Sequence, residues 1–81
     1  MFLHINKIEY EKDYQLKLTF NNNEVKKVDL KNELYGEVFE ELNNIEKFKQ
    51  YFLNKNTKTI EWENGADFAP EFLYGIGEPI K

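Results

Sequence analysis

Residues 62–74 read WENGADFAPEFLY, and this stretch decides how the second half of the chain folds. It starts at the end of a strand-like run, passes through the pair Asn64-Gly65 and enters an apolar segment at Pro70. Asn and Gly both tolerate positive φ, so the pair predicts a tight turn. Proline is tolerated in the first turn of a helix, so Pro70 predicts a helix start. We therefore expect a chain reversal and then a short helix over about residues 70–74.

Before this stretch, alternating apolar and polar residues predict a three-stranded antiparallel meander. The alternation slips at Asn6-Lys7, which predicts a bulge or a bend in the first strand. Val25 falls in the opposite phase from Val28, so either a second bulge exists or one valine is exposed. The three strands are predicted at Phe2–Tyr10, Tyr14–Phe20 and Glu24–Leu30.

The residues after the meander show the spacing of a helix. Apolar residues four apart, joined by Tyr35 and Phe39, predict a helix over about residues 32–42 that covers the sheet. Gly36 costs such a helix roughly 1 kcal/mol against Ala. The helix therefore either includes this glycine or begins only after it.

Two shorter elements come next along the chain. Asn43, with Glu46 three residues later, resembles a capping box that opens a second short helix. The polar triplet at residues 54–56 then predicts the turn of a β-hairpin, whose second strand alternates from Thr57 to Trp62.

Together these elements predict a single α+β domain over residues 1–81. Its parts are an antiparallel three-stranded β-meander, short helices packed on the sheet, then a β-hairpin and a short C-terminal helix. Residues 75–81 are expected to form a flexible tail. An aromatic content of 16% supplies a core from few residues, since each large ring removes much apolar area from water.

Composition and charge exclude several classes of function. The chain has no cysteine, which removes disulfides, thiolate catalysis and zinc–thiolate sites. It has no visible export signal and no apolar run near the ~20 residues that span a bilayer, so we expect a cytoplasmic protein without membrane contact. The net charge is −4 and the lysines are scattered among Glu and Asn, which disfavours nucleic-acid binding.

The residue pattern indicates no catalytic or metal site. No serine occurs, and His4 stands alone, without a second His or a Cys to complete a typical transition-metal site. Asp67 precedes the helix that starts at Pro70, where a carboxylate can accept backbone N–H bonds, so we expect it to cap that helix. We therefore expect no enzyme, no cofactor and no bound metal.

One motif is specific enough to suggest a family. It consists of W-x-N-G-x-D at residues 62–67, Pro70, Leu73 and Tyr74, after a meander that contains Val28-Asp29-Leu30. On these residues the chain resembles, over nearly its whole length, the small bacterial family called domain of unknown function 2442. The resemblance implies a compact α+β domain of two small β elements around short helices, and no established activity. Ala69 departs from the small polar residue common directly before the proline, so we expect no side-chain N-cap from that position.

The resemblance also implies a partner. Members of this family are often encoded beside another small protein, and a toxin–antitoxin relationship has been suspected for such pairs. Some longer members continue into a helix-turn-helix domain. The present chain stops soon after Tyr74, so we expect no direct DNA-binding role of that kind.

The aromatic residues around the motif raise the main functional question. Trp62 shares its phase with Ile60, which favours a core position, yet a Trp at a strand end beside a turn equally suits an interface anchor. Phe68, Phe72 and Tyr74 leave the same two alternatives open. The leading hypothesis is a non-catalytic protein-interaction module, antitoxin-like or the partner half of a two-protein operon. It would bury a patch around Trp62, Phe68 and Tyr74 against another small protein.

An alternative hypothesis is a small-ligand binding domain. Its cleft would lie between the sheet and the C-terminal helix, near the W-x-N-G-x-D motif, with Asn64 and Asp67 as polar contacts. Gly65 and Pro70 belong to the same candidate site through the turn and the helix start. Self-association through an open strand edge is compatible with both hypotheses, so homo-oligomerisation stays open as well.

Overall fold

A computed structural model describes residues 2–80, and its architecture is the predicted α+β fold. Four strands form one antiparallel sheet in the order β1-β2-β3-β6, and β4 and β5 form a separate hairpin. The strands are β1 (Ile5–Lys12), β2 (Gln15–Phe20), β3 (Val25–Asp29), β4 (Phe52–Asn54), β5 (Thr59–Glu61) and β6 (Glu78–Pro79). The helices are α1 (Glu37–Glu40), α2 (Ile45–Phe48) and α3 (Pro70–Ile76), with 3₁₀ turns at Lys31–Glu33 and Glu41–Asn43.

The meander confirms the bulge predicted near Asn6. The β1–β2 register shifts between Ile5 and Lys7, whereas β2 and β3 pair without any shift. Val25 therefore lies on the face opposite to Val28 and is partly exposed, which decides between the two alternatives for that valine. The first strand begins at Ile5 and not at the predicted Phe2. Before Ile5 the regular ladder is replaced by two bonds to Asn21, because the N–H of His4 donates to the Asn21 side chain at 3.0 Å and the His4 carbonyl accepts from the Asn21 backbone N–H at 2.9 Å.

One face of the sheet carries the core and the other faces solvent. The core face is built from the strictly alternating residues of β2, because period-2 alternation places every second side chain on the same side. Polar side chains such as Lys17 and Lys27 occupy the outer face. The buried apolar residues are Ile5, Leu16, Leu18, Phe20, Val28, Leu30, Leu34, Leu42, Phe48, Ile60, Trp62, Ala66 and Leu73.

The helix predicted over residues 32–42 is wrong as a continuous element. Gly36 adopts φ 93°, a left-handed conformation that ends any right-handed helix, and α1 begins only after it. A 3₁₀ turn at Lys31–Glu33 stands on the other side of the break. The sequence left open a helix that begins after Gly36, and the structure has that form. Tyr35 is consequently 71% exposed and does not cover the sheet.

The predicted cap of the second helix is displaced by one residue. The N-cap of α2 is Asn44, whose Oδ1 accepts from the backbone N–H of Glu46 at 3.0 Å. Asn43, expected in that position, instead donates its side-chain amide to the carbonyls of Leu34 and Glu40 at 3.0 Å each. Asn44 is favoured as the cap because its backbone is extended, whereas Asn43 still belongs to the preceding 3₁₀ turn.

The β4–β5 hairpin closes on the predicted polar triplet. Asn54 Oδ1 accepts from the N–H groups of Asn56 at 2.8 Å and Thr57 at 3.1 Å, which stabilises the turn. Lys58 completes the reversal with φ 64°. This hairpin packs against the edge of the main sheet, where Ile5 N–H donates to the Lys58 carbonyl at 2.9 Å.

The C-terminal segment differs from the flexible tail expected over residues 75–81. Helix α3 continues to Ile76, and β6 pairs with β3 so that Pro79 lies opposite Lys26. Gly77 permits this return, because a Cβ there would lie 3.0 Å from both the Leu73 carbonyl oxygen and the Lys26 Cβ. Residue 81 lies outside the described residues. No helix within residues 2–80 is long and apolar enough to cross a membrane.

Candidate functional site

The Asn64-Gly65 pair forms the predicted turn. Gly65 adopts φ 91°, its N–H donates to the Trp62 carbonyl at 2.9 Å, and the Trp62 N–H donates to the Ala66 carbonyl at 2.8 Å. These bonds define a three-residue loop with a left-handed glycine at its end, a common way to reverse a β-strand. The chain leaves the loop antiparallel to β5, with Asp67 opposite Glu61.

The Asn64 side chain fastens this turn to the helical layer. Its Nδ2 donates to the Val38 carbonyl at 2.7 Å and to Glu41 Oε1 at 2.8 Å, and its Oδ1 accepts from the Ala66 N–H at 3.0 Å. Both donors and the acceptor of the amide are therefore used within the protein. This arrangement gives Asn64 a structural role and leaves its amide no free donor for a ligand.

Trp62 occupies the core, the first of the two positions that the sequence left open. Its side chain is 1% exposed, and its Nε1–H donates to the Phe48 carbonyl at 2.8 Å. The ring centroid lies 5.7 Å from that of Phe48 and 6.0 Å from that of Phe68. Trp62 follows Ile60 onto the inner face of the hairpin, so its ring is buried in the free protein.

Tyr74 also serves the fold, by joining α3 to the sheet. Its ring packs edge-on against Phe20 with centroids 5.1 Å apart, and its hydroxyl donates to a Glu24 carboxylate oxygen. Lys26 Nζ lies 3.6 Å from the Tyr74 ring centroid and donates to the Tyr74 carbonyl at 2.9 Å. The rings of Trp62, Phe68 and Tyr74 therefore do not form one surface, and the patch expected around these three residues is corrected accordingly.

A different aromatic surface surrounds Phe68. The Phe68 ring lies 4.7 Å from that of Phe39 and 5.6 Å from that of Phe72, and it stacks on Phe72 with 13° between the planes. Phe72 is 39% exposed, and the exposed ring of Tyr35 lies beside the same depression, whose volume is about 280 Å³. We call Tyr35, Phe39, Phe68 and Phe72 the aromatic patch. The sequence missed Tyr35 and Phe39 as surface residues because it placed them on a helical stripe that faces the sheet.

Asp67 does not cap α3, contrary to the prediction from its position. The N-cap is Ala69, which makes no side-chain cap bond, and the helix starts at the buried Pro70 as expected. Asp67 lies two residues too early, because its backbone is held opposite Glu61 in a β-bridge. Its exposed carboxylate makes no hydrogen bond or ion pair with any residue from 2 to 80, and it lines the depression of the aromatic patch.

The charged residues that line this depression are both acidic. Glu33 and Asp67 are the charged residues that line it, and Glu61 occupies the position directly opposite Asp67. Glu61 Oε1 accepts from the Asn54 amide at 2.7 Å, which is a neutral partner. Within residues 2–80, the depression of the aromatic patch is therefore lined by two carboxylates and by no Lys, and neither carboxylate forms an ion pair.

Ion pairs within residues 2–80 lie elsewhere, on the outer face of the sheet. Lys7 Nζ is 2.8 Å from Glu9 Oε1, and Lys17 Nζ is 3.5 Å from Glu9 Oε2. The hydrogen bond from Lys7 lowers the pKa of the Glu9 carboxyl, and the same bond raises the pKa of Lys7. Burial raises the pKa of the Tyr51 hydroxyl. None of these groups lines the depression of the aromatic patch.

The two polar contacts expected of a ligand cleft are not brought together. Asn64 lines a smaller depression of about 120 Å³ beside Trp62, whereas Asp67 lines the aromatic patch. His4 is partly buried just before β1. Among the residues that the structure describes, no group of three or more His, Cys, Asp or Glu side chains could hold a metal ion.

The chain was compared with known proteins at the level of families, curated sequences and solved structures. No curated protein and no solved structure gives a significant match. One family model matches residues 5–78 and is described as "Protein of unknown function (DUF2442)". This match includes the meander, the W-x-N-G-x-D motif and α3, so the chain belongs to the DUF2442 family.

Proposed function

We propose that this protein is a non-catalytic interaction module that binds another small protein through the aromatic patch. It would be the antitoxin-like or partner half of a two-protein pair. The observation that carries the proposal is the continuous ring contact from Phe39 through Phe68 to Phe72, beside a Tyr35 ring that is 71% exposed. Exposed apolar patches that are rimmed by polar residues often mark interaction sites.

The packing of the rings supports a protein partner. Phe39 and Phe68 are partly buried and hold each other at a centroid distance of 4.7 Å, so little side-chain freedom is left to lose on binding. Phe72 and Tyr35 project enough surface to bury against a partner. Rigid aromatic residues surrounded by polar groups are frequent anchors of protein interfaces.

The test is an affinity capture from lysate of the native host with matched single-residue baits. Phe72→Ala and Tyr35→Ala remove rings of the patch, whereas Phe52→Ala removes a ring that is 44% exposed on β4. We expect a stoichiometric protein to be retained by the wild type and by Phe52→Ala and to be lost with the other two. A partner retained by all three variants would place the interface elsewhere and contradict the proposal.

A second candidate function is the binding of a small apolar molecule. It is favoured by the depression of about 280 Å³ beside Asp67, which is lined by the four rings. Ligand sites are usually larger or more enclosed, with about 300–1,000 Å³. Amide chemical-shift changes on addition of a metabolite library, confined to the patch and absent in Phe72→Ala, would favour this candidate over the first.

A further inference from the structure

We infer that the segment bound by the aromatic patch carries a Lys or Arg directly beside an apolar anchor side chain. This inference rests on the proposed function, because it names the chemistry of the partner that the same surface would take. The apolar anchor follows from the rings that line the depression. The basic residue follows from the charges around it.

The acidic rim is the first observation. The depression is lined by two charged residues, Glu33 and Asp67, both acidic, and neither side chain pairs with a cation within residues 2–80. The Asp67 carboxylate is exposed, makes no hydrogen bond within residues 2–80 and does not cap α3, whose N-cap is Ala69. A partner with a cation next to its apolar anchor would complement the negative charge of Glu33 and Asp67, whereas an acidic partner would be repelled.

The position of Asp67 opposite Glu61 is the second observation. Residues directly opposite each other in an antiparallel pair have closely spaced side chains, and like charges there are destabilising. Within residues 2–80, the Asp67 and Glu61 carboxylates accept one side-chain hydrogen bond between them, and it comes from the neutral Asn54 amide to Glu61. Local rules of this kind are broken most often at functional sites. A partner cation placed beside Asp67 would remove the mutual repulsion.

The exposed rings are the third observation. A guanidinium or ammonium group over the face of Phe72 or Tyr35 would gain a cation–π contact at the same time as an ion pair with Asp67. The protein already uses such a contact internally, since Lys26 Nζ lies 3.6 Å from the Tyr74 ring centroid. Arg suits the patch especially well, because its planar group both stacks on a ring and pairs with a carboxylate.

The test starts from a phage-displayed library of random dodecapeptides selected on the purified full chain. Selected peptides are synthesised, and their affinity is measured by fluorescence anisotropy at low salt for wild type, Asp67→Asn, Glu33→Gln and Phe72→Ala. Glu78→Gln is the matched control, since it removes the same charge from β6, opposite Lys27 on the outer face of the sheet.

We expect the selected peptides to share a Lys or Arg next to an aromatic or aliphatic residue. Their affinity should be lost in Phe72→Ala, fall about three- to tenfold in Asp67→Asn and in Glu33→Gln, and stay unchanged in Glu78→Gln. Added salt should weaken binding to wild type and have less effect on Asp67→Asn.

Two other results would overturn the inference, and they can be told apart. Peptides that depend on Phe72 but lack a basic residue, or bind Asp67→Asn and Glu33→Gln as tightly as wild type, refute the charge requirement and leave the proposed function intact. A selection that yields no peptide sensitive to Phe72→Ala refutes the interaction surface itself, and the inference with it.

Discussion

Replacing Asn64 with alanine is expected to destabilise the free protein, without any partner present. The substitution removes three hydrogen bonds, to the Val38 carbonyl, the Glu41 carboxylate and the Ala66 N–H. Each intramolecular hydrogen bond contributes about 0.5–1.5 kcal/mol net. The bonds to Val38 and Glu41 are exposed, so water can replace the lost partner and the sum lies towards the lower end. We expect a loss of about 2 kcal/mol in the free energy of unfolding.

The assay is urea unfolding of both proteins followed by the fluorescence of Trp62, the single tryptophan of the chain. The slope of the free energy against urea should be unchanged, because the substitution does not alter the surface exposed on unfolding. For a domain of this size, a loss of 2 kcal/mol corresponds to a decrease in Tm of about 10 °C. Glu63→Ala is the matched control in the same loop, since its exposed side chain makes no hydrogen bond within residues 2–80.

The control should change the free energy of unfolding by less than about 0.5 kcal/mol, as surface substitutions usually do. If Asn64→Ala were as mild as Glu63→Ala, the structural role of Asn64 would be refuted. The amide would then return to the candidate binding residues of the W-x-N-G-x-D motif. A large loss of stability, in contrast, explains why the motif contains an Asn without invoking a ligand.

Three further predictions concern other parts of the fold. Gly77→Ala should destabilise the protein by about 1–3 kcal/mol in thermal unfolding, because the new Cβ would lie 3.0 Å from the Leu73 carbonyl oxygen. Gly75→Ala is the control inside α3, where nothing lies within 4 Å of the new Cβ, and it should stabilise the protein by about 0.5–1 kcal/mol. If Gly77→Ala were the more stable of the two variants, the close packing of Gly77 against Leu73 and Lys26 would be refuted. Trp62→Ala should cost about 3–5 kcal/mol, measured by circular dichroism, because the ring is fully buried, and a mild effect would contradict its core position. In NMR titrations the Glu9 carboxyl should have a pKa below its ordinary value of 4.5, so its stabilising contribution is present above that value and is lost as the pH falls through the folded-state pKa. Lys7→Ala should raise the Glu9 pKa, and an unchanged value would contradict the contact between these two side chains.

Strands and turns were predictable from the sequence because their causes are local. The alternation in β2 fixes which face is buried, and the slip at Asn6-Lys7 marks the bulge without knowledge of the partner strand. The turn at Gly65 depends on backbone conformations that few residues other than glycine adopt easily. The start of α3 at Pro70 follows in the same way from the fixed φ of proline.

The errors occur where a distant contact decides the local conformation. Gly36 costs a helix only about 1 kcal/mol, so the apolar spacing alone favoured a continuous helix. The positive φ of Gly36 breaks the helix there, and α1 begins only after this residue, which is the alternative that the sequence had left open. Strand β6 has two residues and ends in Pro79, too short for any periodicity, and it forms only because β3 presents an edge. Asp67 does not cap α3, because the β-bridge with Glu61 fixes its backbone.

The candidate surface was only partly predictable for the same reason. The sequence identified Phe68 and Phe72, which stand close together near the motif, as residues of core or interface. Tyr35 and Phe39 lie about thirty residues earlier, and only the tertiary fold brings them beside Phe68. The pattern that assigned them to the sheet-facing stripe was the same pattern that failed at Gly36.

The proposed interaction rests on how the aromatic rings are arranged on the surface. The chain contains seven Phe, five Tyr and one Trp. Phe20, Phe48 and Trp62 are buried in the core, and six further rings are partly buried against it, namely Tyr10, Tyr14, Phe39, Tyr51, Phe68 and Tyr74. Of the rings left outside, Phe2 and Phe52 are singly exposed, and single exposed rings are ordinary on protein surfaces. In the aromatic patch, by contrast, Phe68 contacts both Phe39 and Phe72, and the two carboxylates that line the same depression form no ion pair within residues 2–80. Core packing accounts for the burial of Phe39 and Phe68, but not for the exposure of Tyr35 and Phe72 or for the acidic residues beside them. The proposed partner, with an apolar anchor and an adjacent cation, would account for both.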